Sequence, residues 1–469
     1  MSYTLLIPHA KSQKTFLAGS AALLTSVCAL LYGMTLAAPL IYDDVTNVGG
    51  NPMWSLPGVR VTFALLSRDY FALTSERTYQ PLVTLFHFLT HESQLGYRLA
   101  GLIVHALNGW LVLRLGLRLG QDRSAALLAA LLFCAYPAST EAVNISSFKG
   151  HLLGFAFGLL ALEAWLVYLE EGAPRALAAA AALYGAALIS KETALAAGLL
   201  SALAWLCLGP QRERRTGLFV LAGVSAAFLA WRFLWLRPPP DFPEVFRYSP
   251  AASLAWYLRM LVWPWPLCLE RTSGQGAWVW AALAGYAAAA WTLRRRPREL
   301  WLLLWIGAAA VPFLHFIAFA NFSPVADRYL YLPAAGFCLL LAQIARRSAL
   351  PVLCGVFVAW SGVTATRNGL YRSERGLFAQ TSACAPFNPR AQFLFGLACL
   401  RDGDPAAGEA AFRSALRLRE SAGTHTLLGE SLYQQGKFSD AIGHYRQARD
   451  LDPEWAAHYP GAAGRLQSR

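Results

Sequence analysis

Two adjacent aspartates, Asp43 and Asp44, stand in the stretch YDDVTNVGGNP, a few residues beyond the first long apolar run of the chain. Carboxylates so placed can take a proton or help hold a cation. Their neighbours Asn47, Gly49, Gly50, Asn51 and Pro52 equally suit a turn, where Asp serves backbone geometry alone. Further acids stand beside lysines: Glu141 and Lys149 in STEAVNISSFKGH, which also carries His151, and Lys191 and Glu192 in SKE. The chain has five lysines against thirty-five arginines, and the other three are Lys11, Lys14 and Lys437. Lys149 and Lys191 therefore stand out, with snorkelling at a membrane interface as the alternative reading. ADRYLYLP adds Asp327, Arg328, Tyr329 and Tyr331. Tyr331 reads as an interfacial anchor, and Tyr329 as either an anchor or part of a groove wall.

The elements that position these residues are membrane spans. Of 469 residues, 56% are hydrophobic and 14% charged, against roughly 25% charge in soluble domains. Apolar runs recur from Phe16 to Thr366, enough for about eleven helices of about 20 residues. The first run is too long for an ordinary signal-peptide core and reads as an uncleaved signal anchor. The net charge of +13 does not point to nucleic acid. Its arginines cluster between the runs, at Arg114, Arg118 and Arg123, at Arg212, Arg214 and Arg215, at Arg294, Arg295, Arg296 and Arg298, and at Arg346 and Arg347. Placing all of these in the cytoplasm satisfies the positive-inside rule.

On that path the polar segments fall on the other side. Ionisable residues at helix mouths on one face suggest a shared polar cavity. Residues 61–70 suit a helix lying on the membrane surface. The segment WYLRMLVWPWPLCLE, 256–270, is too short and proline-broken to span, and reads as a partly embedded helix from which Arg259 reaches outward. His105 and Asn108, one turn apart, suit helix packing. The eight cysteines lie scattered, with no CxxC, and suggest neither zinc nor a disulfide framework.

Beyond Tyr371 the composition turns polar and a pattern repeats. FGLACLRDGDPAAGEAAFRSALRL aligns with LGESLYQQGKFSDAIGHYRQARDLDP, matching Gly396 to Gly429, Gly403 to Gly436, Gly408 to Ala441, Phe412 to Tyr445 and Ala415 to Ala448. A helix pair recurring every 33 or 34 residues is the tetratricopeptide pattern. With the helix near Pro389 it makes a minimal solenoid, so the division is 1–370 for the membrane domain and 371–469 for the repeats.

The ordered segments YDDVTNVGGNP, TYQPL, YRLAGLIVHALN, AYPASTEAV, SSFKGHLL, LISKE, YLRMLVWP and ADRYLYLP, followed by tetratricopeptide repeats, resemble the TMTC transmembrane O-mannosyltransferases and their bacterial relatives. The resemblance covers essentially the whole chain. It implies an all-α polytopic protein of the GT-C type, followed by a short repeat solenoid. It further implies an inverting enzyme that moves mannose or another hexose from a polyprenyl-phosphate donor to a protein Ser/Thr hydroxyl.

On that resemblance Asp43 is the base, and Asp44 orients the acceptor or holds a divalent metal, Mg²⁺ or Mn²⁺. Glu141 joins them in the catalytic set. Lys149, Lys191, Arg328 and Arg259 hold the donor phosphate. Glu192, Asp327, Tyr329 and His151 line the substrate site. The chain departs from the family pattern at Tyr136 and Ser139, which replace histidines, at Lys149, which replaces arginine, at His151, which replaces aspartate, and at Gln80, which replaces arginine. Such a site uses general-base help worth about 10²–10⁴-fold and fixed cations for the leaving phosphate.

Partners on this reading are the bilayer, the lipid-linked donor and an acceptor protein held by the repeats, without nucleic acid. A flippase for lipid-linked sugars would instead put ionisable residues near the bilayer midplane, and a non-catalytic assembly protein would need only the repeats. The Ala- and Arg-rich composition favours a bacterial inner membrane over an endoplasmic reticulum, with site and repeats on the non-cytoplasmic side.

Overall fold

In the computed structural model the described residues are 10–49, 80–90, 93–209, 214–235, 249–271, 276–314, 325–345 and 349–467. The expected surface helix at 61–70 lies outside them. The chain divides into two compact units, one of Met1–Trp265 with Ser273–Gly369, the other of Pro266–Thr272 with Leu370–Arg469. Among the described residues both are helical, with no β-strand element.

The first unit comprises α1 (Ala10–Tyr32), α2 (Pro81–Thr90), α3 (Gln94–Arg118), α4 (Arg123–Cys134), α5 (Ser139–Asn144), α6 (Lys149–Glu171), α7 (Pro174–Ser190), α8 (Leu195–Leu208), α9 (Arg215–Trp235), α10 (Pro250–Val262), α11 (Ala277–Leu293), α12 (Pro297–Ala310), α13 (Tyr331–Ile344) and α14 (Leu350–Leu370). Five stretches are long and apolar enough to cross a membrane: Gln13–Thr35, Gln94–Arg118, Ser146–Glu171, Arg215–Leu234 and Leu350–Leu370. Other apolar helices are only 10–17 residues long, so five of the expected eleven have full spanning length among the described residues. The spans through α3 and α6 are 61% and 67% buried within the protein, while the other three are 22% buried. The first two are the more enclosed, and the other three lie mostly at the surface of the described residues.

Local chemistry sets the helix ends. Ser93 caps α3 through its hydroxyl on the Gly96 N–H, and Asp122 caps α4 on the Ala125 N–H. Gly172, at φ +71°, ends α6 in a left-handed turn, and Pro174 starts α7, which returns along it. At the centre, the Nδ1 of His105 lies 2.7 Å from the Tyr331 hydroxyl, and Asn108 donates to the Leu152 carbonyl and to the same hydroxyl at 3.0 Å each. This bonds α3, α6 and α13 together, as expected for His105 and Asn108. Tyr331, expected at an interface, is instead buried in this network. Its hydroxyl finds partners inside the bundle and has no need of water.

The second unit comprises α15 (Glu374–Cys384), α16 (Pro389–Arg401), α17 (Pro405–Leu418), α18 (Ala422–Gln434), α19 (Phe438–Leu451), α20 (Trp455–His458) and α21 (Pro460–Gln467). The two aligned copies reuse one contact. A Cβ on Gly396 would meet the Phe412 ring at 2.8 Å, and one on Gly429 would meet the Tyr445 ring at 2.5 Å, so each aromatic packs where only glycine leaves room. Gly403 and Gly436 turn between helices at φ +78° and +76°.

The strap Pro266–Thr272, which the sequence division placed with the membrane domain, belongs to this unit. The Leu267 carbonyl accepts from Gln380 at 2.8 Å, Glu270 pairs with Arg390 at 3.1 Å, and Cys268 is disulfide-bonded to Cys384. Leu267, Cys268 and Leu269 are fully buried, covering an end of the solenoid that repeats alone would leave exposed. The disulfide corrects the expectation of none: its cysteines stand 116 residues apart, at no spacing that sequence rules recognise.

Candidate functional site

The Asp43–Asp44 pair follows α1 through a tight turn. Tyr42 has φ +57°, an uncommon conformation for a bulky residue, and a π-helical turn, Val45–Gly49, follows. Strained and rare backbone of this kind concentrates at functional sites.

The turn drives Asp44 inward. It is fully buried, and its Oδ2 accepts from the Ser146 N–H at 2.8 Å. Its Oδ1 accepts from the Ser147 N–H at 2.7 Å and the Ser147 hydroxyl at 3.0 Å. Asp44 thus holds the 3₁₀ turn Ser146–Phe148 that leads into α6. Burial pushes its carboxyl above the ordinary range, against the pull of Arg98 and of the two backbone donors. Asp43, next to it, is half-buried.

Around Asp44 gather three buried groups. Arg98 of α3 donates to the carbonyls of Asn144 and Pro39. The Nε2 of His87 in α2 lies 3.1 Å from the Ser146 carbonyl. Lys149, buried at the start of α6, donates to the Val143 carbonyl. Gly101 makes its room, since a Cβ there would stand 2.6 Å from Nζ. Arg98 and His87 were not among the sequence candidates. An arginine inside an apolar run is the signal that could have found Arg98.

Across the same turn lies a second cluster. Glu141 of α5 is fully buried. It accepts from the Arg328 backbone N–H at 2.9 Å and, on its other oxygen, from the Arg328 guanidinium. Burial pushes the Glu141 carboxyl up to about 7, with Arg328 pulling it back. The guanidinium lies over the Phe148 ring at 4.3 Å, and donates to the Tyr329 hydroxyl at 3.3 Å. Asp327, also buried, begins this 3₁₀ turn, Asp327–Leu330. The turn Ser146–Phe148 therefore carries Asp44 on its N–H groups and Arg328 on its aromatic ring.

Arg328, Tyr329 and His151 line an open cleft, with a cavity volume of about 30 Å³, that continues between α6, α8 and α12 along Gly154, Phe155, Leu162 and Trp305. Tyr329 stacks on Phe313 at 4.1 Å, with His151 beside both rings. The cavity is cationic and aromatic at one end and apolar along its length.

Other candidates go elsewhere. Glu192 pairs with Arg232 of α9 at 3.4 Å in a buried contact, and Arg232 is a second arginine in an apolar run that the sequence candidates omitted. Lys191 ends α7, its side chain running past Gly150 and Gly154. Arg259 is exposed, donates to the Trp265 carbonyl at 3.1 Å and is not among the cavity-lining residues.

Among the described residues, one grouping has metal-ligand spacing, Cys28, His105 and Cys134, all buried. Both nitrogens of that histidine already face partners, the Tyr331 hydroxyl and the Cys134 carbonyl, which accounts for it as helix packing.

Residues 422–455 match the tetratricopeptide repeat family. The chain is similar to protein O-mannosyl-transferases. It is 24% identical over 451 residues to one from Caenorhabditis elegans, covering 85% of this chain and 62% of that protein. To TMTC4 of Mus musculus it is 22% identical over 423 residues, covering 71% and 57%. The chain thus spans about three-fifths of the length of these curated relatives. Among solved structures, ArnT from Cupriavidus metallidurans bound to undecaprenyl phosphate is 17% identical, covering 91% of this chain and 80% of that one, at a TM-score of 0.46.

Proposed function

We propose that this chain, an integral membrane relative of the TMTC O-mannosyl-transferases, transfers a sugar from a polyprenyl-phosphate donor to a Ser or Thr hydroxyl of a protein. The observation that carries the reading is the placement of Arg328: a guanidinium at the aromatic end of a long apolar cavity, close to the Asp43–Asp44 turn. A lipid phosphate needs an apolar channel and a cation at its head, and this cavity offers both.

In the reaction, Asp43 accepts the proton of the acceptor hydroxyl as its oxygen bonds to the anomeric carbon. The bond from that carbon to the phosphate oxygen breaks with inversion. The lipid phosphate keeps the electron pair, and Arg328 stabilises its added charge, with Lys191 as the second cation. Asp44 and Lys149 hold the turn that separates the two clusters, and Glu141 fixes Arg328. Asp44 takes N–H and O–H donors on both oxygens, and no step is routed through a divalent ion such as Mg²⁺ or Mn²⁺.

The site and the repeats lie on the non-cytoplasmic side of a bacterial inner membrane, and the repeats hold the acceptor protein. The Cys268–Cys384 disulfide in the repeat unit supports that side, because such bonds persist in oxidising compartments such as the periplasm. The test is mass spectrometry of periplasmic and surface proteins from cells with the gene, without it and with Asp43→Asn. A hexose present only with the intact gene is expected. Identical glycosylation in all three strains overturns the reading.

A further inference from the structure

The turn that carries Asp43 is fixed on both sides to one short piece of chain, residues 144–148. Before the turn, Arg98 donates from its two terminal nitrogens to the Pro39 and Asn144 carbonyls at once. After it, Asp44 accepts from the Ser146 and Ser147 N–H groups. Between these anchors the Tyr42 ring meets the Phe148 ring edge-on, with centroids 6.2 Å apart. The piece is itself held: Asn144 donates to Asn368 Oδ1 at 2.6 Å, and Asn368 donates to the Leu31 carbonyl at 2.7 Å, tying it to α14 and to the end of α1. Arg98, Asn144 and Asn368 are each no more than 3% exposed.

Burying a guanidinium is costly, and a bulky residue at the φ of +57° that Tyr42 adopts is strained. Such a turn persists where its surroundings over-determine it, and the two anchors do so. The same piece carries the cation of the proposed reaction, because the Arg328 guanidinium lies over the Phe148 ring at 4.3 Å. Proposed base and proposed phosphate ligand thus take their places from one frame.

We propose that Arg98 and Tyr42 are positioning residues for the transfer, holding Asp43 at a fixed place relative to Arg328 through residues 144–148. This rests on the reading of Asp43 as the base and Arg328 as the phosphate ligand. In an inverting displacement the attacking oxygen, the anomeric carbon and the departing oxygen stand roughly in line, and a misplacement of about 1 Å costs up to about 10²-fold in rate. Arg98→Lys keeps the charge that attracts Asp44 but lacks the planar fork that reaches both carbonyls. Tyr42→Leu keeps an apolar side chain in the turn and removes the ring from Phe148.

The experiment compares wild type with Arg98→Lys, Tyr42→Leu and Asp43→Asn, and with each of the first two combined with Asp43→Asn. Mass spectrometry reads the initial rate at which hexose appears on periplasmic and surface proteins, per molecule of enzyme, and the purified full chains are melted in parallel. Arg98→Lys and Tyr42→Leu are each expected to lose about 10-fold in rate and to melt close to wild type. In the Asp43→Asn background, with no base left to place, each is expected to cost less than about 2-fold, the coupling of residues that act as a unit.

A purely structural role predicts lower melting with a wild-type rate per molecule, or the same fold-loss in both backgrounds. Either result overturns the proposal, as does failure of both single variants to accumulate, which assigns the frame to folding alone. A wild-type rate for Asp43→Asn itself instead overturns the base assignment beneath, and the positioning role with it, so the two failures are separable.

Discussion

Asp44 and Ser146 are joined through a carboxylate oxygen and a backbone N–H at 2.8 Å, across 102 residues of sequence. With the Ser147 backbone and hydroxyl on its other oxygen, both Asp44 oxygens are engaged by donors of one turn. Two adjacent aspartates thus have different duties. Asp44 sets the turn that precedes α6, and the proposed function gives proton transfer to Asp43.

The two substitutions to asparagine should therefore separate. Asp43→Asn keeps size and removes proton acceptance, so turnover should fall by at least the roughly 10²-fold of a lost general base, with folding yield unchanged. Asp44→Asn turns an amide N–H₂ or a weaker acceptor toward N–H donors, so it should destabilise by about 1–3 kcal/mol. EDTA should leave wild-type turnover unchanged. An Asp43→Asn protein with wild-type turnover would move the base to Glu141.

Two of the four cations of the sequence reading, Arg328 and Lys149, should also behave differently from one another. Arg328 lies at the cavity, held by Glu141, so Arg328→Lys keeps the charge yet loses the fork that grips two oxygens. Turnover should fall toward the roughly 10²–10³-fold of a lost charge-stabilising donor, at near-normal expression. Lys149 is buried on the Val143 carbonyl, so Lys149→Met should lower folding yield with little change in activity per folded molecule. Measuring purified activity against expression decides it. The reverse pattern would make Lys149 the phosphate ligand and Arg328 structural.

What could be read in advance follows from how local each signal is. The repeats were legible because one contact recurs at a fixed interval, Gly396 with Phe412 and Gly429 with Tyr445. Glu141 and Arg328 were both candidates because acids and cations near helix ends are rare in so apolar a chain, but their pairing across 187 residues appears only in the fold. Arg98 and Arg232 were not among the candidates, although burial is what makes a charge in an apolar helix informative. Tyr331 illustrates a real ambiguity: an aromatic at a helix end suits an interface or a core, and only its partners His105 and Asn108 decide. Cys268 and Cys384 carry no spacing signal, since a disulfide records proximity in space.

In the repeat unit a pH dependence follows from Glu409. Lys437 donates to it at 2.8 Å, Arg413 at 2.9 Å and Gln435 at 3.0 Å, and these bonds hold its carboxyl down at about 2, below its ordinary 4.5. A depressed acid contributes stability that is fully present above the unfolded value and is lost as pH falls through the folded one. The contribution therefore disappears between pH 4.5 and 2. Hydrogen exchange of α17 and α18 in the full chain should show protection falling over that range in wild type. Glu409→Gln should be less protected at neutral pH and flatter below 4.5. Parallel curves for the two proteins would assign the titration to another group.

The last prediction concerns sidedness. On the proposed topology the arginine clusters lie in the cytoplasm, near 123, 215 and 298, and the Cys268–Cys384 bond favours an oxidising compartment for the repeat unit. These arguments are independent, one resting on charge between spans and the other on thiol chemistry. Reporter fusions after Arg123, Arg215 and Arg298 should read cytoplasmic, and one after Arg372 should read outside. In intact cells a membrane-impermeant maleimide should label Cys268 and Cys384 only after reduction. The Cys268→Ser, Cys384→Ser double variant should lose about 2–5 kcal/mol in the repeat unit, as small domains do when a native bridge is removed. If those two cysteines are labelled without reduction only after the inner membrane is opened, the repeats are cytoplasmic. An acceptor protein delivered by them then could not meet Asp43 on the opposite face, and the proposed transfer fails with the topology.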